Sequence, residues 1–140
     1  RYTSAWLYGA VRPGTDDAFA LVMTTTNTAA MQAFLDRFAA QLPQRTHAAL
    51  LLDGAAWHTA LDLKVPANVS LIRLPPYSPQ LNPVERVWLY LRERFLSLRL
   101  FDDLGAIVDG CCDAWNRLAN EPGRLASLTD YPYLRKVRNS

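Results

Sequence analysis

The sequence has 140 residues, of which 50% are hydrophobic and 20% charged, with a formal net charge of +2; this is the composition of an ordinary soluble globular protein, long enough for one domain with a real core. No apolar run is long enough to span a bilayer, and the start RYTSAWLYG lacks the basic-then-apolar layout of a signal peptide, so no membrane partner is expected and a cytoplasmic setting is the default expectation. The basic residues are nearly all arginine, with lysine only at Lys64 and Lys136, a bias that permits nucleic acid as a partner without establishing it.

In chain order, AWLYGAV (5–11) and AFALVM (18–23) are short, aromatic and branched, and RPGTDD between them is turn-forming, which predicts a β-hairpin. Asp16 and Asp17 fall in its turn, where turn chemistry and solvation are their default roles. NTAAMQAFLDRFAAQLP places Met31, Phe34, Leu35, Phe38 and Leu42 at helical spacing, with Asn27 or Thr28 as cap and Pro43 as stop. AALLLD (48–53) is continuously apolar until an aspartate, as in a strand covered on both faces, and VSLIRL (69–74) reads as a second such strand. The segment between them is long enough for a crossover containing a short helix, as a parallel pair needs.

LPPYSPQLNPVERVW (74–88) follows, with prolines at 75, 76, 79 and 83 excluding regular structure until a helix begins. Val84, Trp88, Leu91, Phe95 and Leu98 then form one apolar stripe, and a further helix from Asp102 or Asp103 carries Leu104, Ile107, Cys111, Trp115 and Leu118 inward. The neighbours Cys111 and Cys112 read as core or near-core thiols, since adjacent cysteines cannot staple distant segments. From Glu121 the tail is expected to be irregular, ending in Arg135, Lys136 and Arg138. The order hairpin, helix, strand, crossover, strand, helix, helix is mixed α/β in a single domain spanning residues 1–140.

Two carboxylates stand out. Asp53 ends a predicted parallel strand, where ligands of open α/β sheets gather, and Glu85 follows 32 positions later at the start of a helix. Clustered carboxylates are what a divalent cation with oxygen ligands, Mg²⁺ or Mn²⁺, requires for phosphoryl transfer. Each also has a structural explanation. Asp53 can simply mark the point where a buried strand meets solvent, with Gly54 as a turn. With Asn82 as N-cap and Pro83 as the first helical residue, Glu85 can close a capping box.

The proline-rich stretch resembles the signature L-P-x-Y-S-P-x-L-N-P-x-E-x-x-W of DDE transposases of bacterial insertion sequences related to the mariner elements. LLLDGAAWHTA resembles their second-aspartate strand, in which a histidine, here His58, follows five positions after the aspartate. The similarity runs from the hairpin near Trp6 to the helix ending near Arg99. It implies an RNase H-like mixed sheet with flanking helices, Asp53 and Glu85 as metal-binding catalytic residues, Mg²⁺ or Mn²⁺ as cofactor, and DNA, both transposon ends and target, as the substrate to be cut and joined. The prolines then act as a stiff bridge holding Glu85 opposite Asp53.

His58 has packing or capping as its structural role, Gly54 departs from the asparagine common at that place, and Tyr77, Ser78 and Asn82 shape the loop. Trp88 anchors the helix in the core. Arg92 and Arg99 follow Glu85 at intervals of seven, with Arg86 and Arg94 beside it, so Arg86, Arg92 and Arg99 are candidate DNA contacts or simply a solvated helix face.

The resemblance also implies a first catalytic aspartate on a central strand ahead of the hairpin, yet no acidic residue precedes Asp16. The expectation is therefore an α/β domain lacking its first, central strand: a portion of a longer transposase, a split reading frame or a decayed copy, not a competent nuclease alone. Exposed strand edges would be covered by rearrangement, a swapped element or a second copy in a homodimer. Without an upstream helix-turn-helix region, sequence-specific binding should be weak. The rival reading is a non-catalytic DNA-binding or oligomerisation remnant of such an enzyme; a carboxylate-pair glycosidase finds no support in the proline-framed motif.

Overall fold

The computed structural model describes residues 5–52, 62–74, 82–96 and 101–131. Two compact units emerge. One combines residues 1–24 with 83–140, and the other is the intervening segment 25–82. Both mix helices with a two-stranded sheet, so the molecule is α/β, as the element order requires.

In the first unit, β1 (Trp6–Val11) pairs antiparallel with β2 (Ala18–Met23) in the expected hairpin, from Trp6 opposite Met23 to Val11 opposite Ala18. The connecting turn closes with Arg12 N–H donating to Asp17 O at 3.0 Å and Thr15 N–H to Arg12 O at 3.1 Å. Gly14 adopts φ 72°, a left-handed conformation that glycine tolerates without strain. Asp17 takes an exposed ion pair with Arg12 at 3.5 Å, in keeping with a solvated turn residue.

Asp16 does something local sequence could not show. The tail expected to be irregular contains a short helix, which we label α4 (Arg124–Leu128), and its N-cap is Gly123, which has no side chain to cap with. Asp16 supplies the missing acceptor from the hairpin turn: Oδ2 accepts from Gly123 N–H at 2.8 Å and Oδ1 from Ala126 N–H at 3.0 Å. Nearby, Gly14 N–H donates to Thr129 Oγ1 at 3.0 Å, while the buried Thr129 hydroxyl donates to Leu125 O at 2.8 Å. The turn and the C-terminal helix are thus cross-linked by polar bonds.

The two backbone N–H bonds, first that of Gly123 and then that of Ala126, hold the Asp16 carboxyl below its ordinary pKa. A carboxylate depressed in the folded state stabilises above its unfolded pKa of about 3.9 and loses that contribution as pH falls through the folded value. Asp16→Ala should therefore lower the thermal midpoint at neutral pH, and the gap from the unmodified protein should close as the pH drops below about 4. Melting curves across an acid series check this; a gap independent of pH would count against the cap.

The core of this unit gathers Val87 and Leu91 from α2 (Val84–Leu91), Ala114 and Leu118 from α3 (Leu104–Ala119), and Leu125 from α4, with Leu7, Val11, Ala18 and Trp115 packed around them. α3 starts as predicted, its Asp103 cap accepting from Ala106 N–H at 2.8 Å. Its inward stripe differs. Gly110, Ala114 and Leu118 are buried, whereas Leu104 is 36% exposed and Ile107, Cys111 and Trp115 are half-buried. The reason is steric: small residues take the line of closest approach, and larger apolar ones fill its flanks. At Gly110 a Cβ would come within 2.6 Å of the Phe101 ring. Cys111 is half-buried and Cys112 exposed, so only the first is near the core.

In the second unit, α1 (Thr28–Gln41) matches its periodicity: Met31, Phe34, Leu35 and Phe38 are buried, and the rings of Phe34 and Phe38 stack with centroids 6.2 Å apart. Asn27 caps it, accepting from Ala30 N–H at 2.9 Å, a bond of a type contributing about 1 kcal/mol. Two side-chain amides tie it to the chain entering the sheet: Gln32 bonds both Lys64 O and Lys64 N–H at 2.9 Å, and Asn68 Nδ2 donates to the α1 carbonyl of Ala39 at 3.0 Å.

β3 (Ala48–Leu52) and β4 (Val69–Arg73) are parallel, as expected, and paired from Ala48 opposite Val69 to Leu52 opposite Arg73. Their covering is one-sided. Leu52 and Val69 are buried, but Leu51 and Ile72, which sit opposite each other, are 39% and 45% exposed. Continuous apolar character signalled two covered faces; alternating burial shows one, because the residues at odd and even positions point to opposite sides of the pleat.

Candidate functional site

α2 places Glu85. Pro83, fixed near φ −58° by its ring, already has helical angles and acts as the N-cap residue, and the first turn closes with Arg86 N–H donating to Pro83 O at 3.3 Å. The helix boundary therefore falls one residue later than expected, and the capping box does not form. Glu85 is exposed in the first helical turn. Among the described residues its carboxylate takes part in no hydrogen bond or ion pair. It sits at the positive end of the α2 dipole with its oxygen lone pairs available.

Trp88, three residues on, anchors the helix as expected. Its ring lies directly on Gly9 of β1, where a Cβ would meet Cη2 at 2.5 Å, and it tilts against Trp115 of α3 at 6.2 Å between centroids. A strand glycine and two indoles thus anchor α2 at Trp88, one turn beyond Glu85.

α2 does not continue as one regular helix. Arg92–Leu96 forms a π-helical turn, where an extra residue is accommodated per turn. The predicted stripe holds in part: Val84, Val87 and Leu91 are the buried residues of α2, Trp88 and Phe95 are half-buried, and Leu98 lies outside the described residues. Arg92 opens the π-helical turn, and Arg99, the second arginine of the expected sevenfold alignment with Glu85, lies outside the described residues.

Of the candidate DNA contacts, Arg86 and Arg92 are exposed, and the Arg86 guanidinium stacks 5.6 Å from the centroid of Tyr131. Arg94 stacks on Phe95. Asn82 is half-buried. Asp53, Gly54, His58, Tyr77, Ser78 and Arg99 lie outside the described residues. The structure follows the strand leading to Asp53 as far as Leu52, whose carbonyl accepts from Leu74 N–H at 2.8 Å. Among the described residues no three potential metal ligands converge, and no helix is long and apolar enough to cross a membrane.

The sequence matches the family described as DDE superfamily endonuclease over residues 1–108, a span that includes both Asp53 and Glu85. The chain belongs to that family. Like other DDE superfamily endonucleases it thus falls in a transposase-like nuclease class whose substrate is DNA and whose chemistry generally uses divalent metals. It is also similar to an uncharacterized protein of Sinorhizobium fredii, with 44% identity over 124 residues, covering 89% of this chain and 92% of the relative. No solved structure matches the chain.

What sequence reasoning missed in this DDE-family domain is Arg117. It lies on α3, far along the chain from the proline motif, and its guanidinium sits 5.0 Å from the Phe95 ring centroid. Only the tertiary packing of α3 against the π-helical turn brings it there.

Proposed function

We propose that this chain is part of an RNase H-like catalytic domain that cuts and joins DNA in the transposition of a bacterial insertion sequence, with Asp53 and Glu85 as ligands for Mg²⁺ or Mn²⁺. The observation that carries this reading is the state of Glu85: it lies within the family match, is exposed in the first turn of α2, and among the described residues makes no capping hydrogen bond or ion pair. Two carboxylates are the donor set a hard cation selects, leaving coordination positions for water and phosphate oxygens. A metal bound there would supply charge stabilisation for in-line phosphoryl transfer.

The protein's own contribution is placement. The Pro83 N-cap and the Trp88 anchor restrict the backbone of Glu85, so little conformational freedom remains to be lost when its carboxylate binds a cation. Neither carboxylate needs to accept a proton in this scheme. Arg86, Arg92 and Arg99 provide positive charge for the DNA backbone, which positions the duplex without reading its bases.

Calorimetric titration with Mn²⁺ tests the reading without relying on turnover. Glu85→Gln and Asp53→Asn should each weaken Mn²⁺ binding by roughly tenfold or more, since affinity at oxygen sites follows the number of charged ligands. Asp109→Asn, which removes an exposed carboxylate from α3, should leave the isotherm unchanged. Equal isotherms for all three variants and the parent protein would remove the metal assignment.

A further inference from the structure

Away from Glu85, two aromatic rings carry three arginines. Phe95 receives the guanidinium of Arg94 at 5.9 Å and that of Arg117, from α3, at 5.0 Å from its centroid. Tyr90 meets Phe95 edge-on at 6.1 Å, and Arg124 of α4 lies 5.2 Å from the Tyr90 centroid.

The arginines are not equivalent. Glu121 accepts from the Tyr90 hydroxyl at 3.0 and 3.1 Å and lies 3.9 Å from Arg124 Nε, so the Tyr90 end of the ladder carries its own counter-charge. At the Phe95 end no such pairing occurs among the described residues. Among the described residues Arg94 and Arg117 form no ion pair: Glu93 beside Arg94, and Asp113 one turn before Arg117, are exposed and outside ion-pair distance.

Stacking on a ring covers one face of a guanidinium while leaving its in-plane N–H donors free. Those donors form a planar fork that matches the oxygens of a phosphate. Because the two cations share one ring, they cannot stand farther apart than their combined distances to its centroid. A DNA strand presents a phosphate about every 3.4 Å along the helix axis, so a strand passing Phe95 brings more than one phosphate within their joint reach.

We propose that Arg94 and Arg117, seated on Phe95, form a clamp for the DNA phosphodiester backbone. This rests on the reading of DNA as substrate and assigns the grip to residues separate from the metal-binding pair. Phe95 is a positioning residue here, holding both forks before DNA arrives and so reducing the side-chain freedom lost on binding.

The test measures anisotropy of a short fluorescent DNA duplex with the full chain, in EDTA, across a salt series. Arg94→Ala with Arg117→Ala should weaken binding roughly tenfold at low salt and reduce the slope of log affinity against log salt by about two. Arg94→Lys with Arg117→Lys should keep the slope but bind several-fold more weakly, because lysine retains charge without the fork. Arg12→Ala removes an arginine already paired with Asp17 and should change neither quantity.

If the parent chain binds and the double alanine variant matches Arg12→Ala, the clamp is wrong while the DNA reading stands. If the lysine pair binds as well as the parent, the ring-organised fork is likewise refuted. A parent chain that does not bind duplex DNA at all overturns both readings. Circular dichroism of each variant separates lost binding from lost fold, and the lysine pair preserves the test should the alanine pair unfold.

Discussion

Leu118→Ala should destabilise the protein by about 3–4 kcal/mol in chemical denaturation, within the range for removing a leucine from a core that cannot collapse. Leu118 is 0% exposed, and the residues clustered with it, Val87, Leu91 and Leu125, are between 0% and 2% exposed. They belong to three helices whose backbones would all have to shift to fill the void. Ala114, one turn earlier on the same face, is too small to move in. Leu104→Ala provides the contrast. At 36% exposure its loss should cost under about 1 kcal/mol, even though periodicity places both leucines on one inward stripe. Equal costs at the two positions would show that the buried line of α3 is misassigned.

That contrast also shows where sequence stops being informative. α1 was readable because its bulky apolar residues lie on the buried face and Asn27 and Pro43 mark its ends. The hairpin and the parallel strands were readable for the same local reasons. α3 was misread because its closest contacts are made by Gly110 and Ala114, and small residues carry no hydrophobic signal. The helix at Arg124–Leu128 was missed because its cap comes from Asp16, 107 positions away, where no local pattern points to it. The exposed pair Leu51 and Ile72 shows that an apolar run reports burial capacity, not which faces are covered.

For the candidate site, the prolines correctly mark where α2 begins to within one residue, and Trp88 was rightly read as its anchor. The capping alternative for Glu85 depended on a shift of a single residue, beyond what spacing can decide. The π-helical turn was illegible because its apolar residues fit an α-helical stripe well enough to conceal the extra residue. Arg117 required tertiary packing. Asp53 could be followed only to the strand that leads to it.

Gly9→Ala is expected to destabilise by about 1–3 kcal/mol, the usual cost of forcing a methyl group into a filled space. In a strand interior the same change normally helps, because alanine loses less backbone freedom than glycine, so the sign itself is diagnostic. The obstacle is the Trp88 indole, with Cη2 at 2.5 Å, Cζ2 at 3.1 Å and Cζ3 at 3.5 Å from the new Cβ, all on the six-membered ring. Trp88→Phe removes the outer part of that side chain. It should be destabilising alone, through lost packing against β1 and Trp115, yet the double variant Gly9→Ala with Trp88→Phe should lose less than the sum of the two single changes. A double-mutant cycle measures this coupling, expected at about 1 kcal/mol or more for residues in direct contact. Because Trp88 lies three residues from Glu85 on the same short helix, Gly9→Ala should also weaken Mn²⁺ binding, and the double variant should recover part of it. Full additivity in stability would mean that the glycine does not make room for the indole; a coupled stability with unchanged Mn²⁺ affinity would confine the contact to packing and detach it from the placement of Glu85.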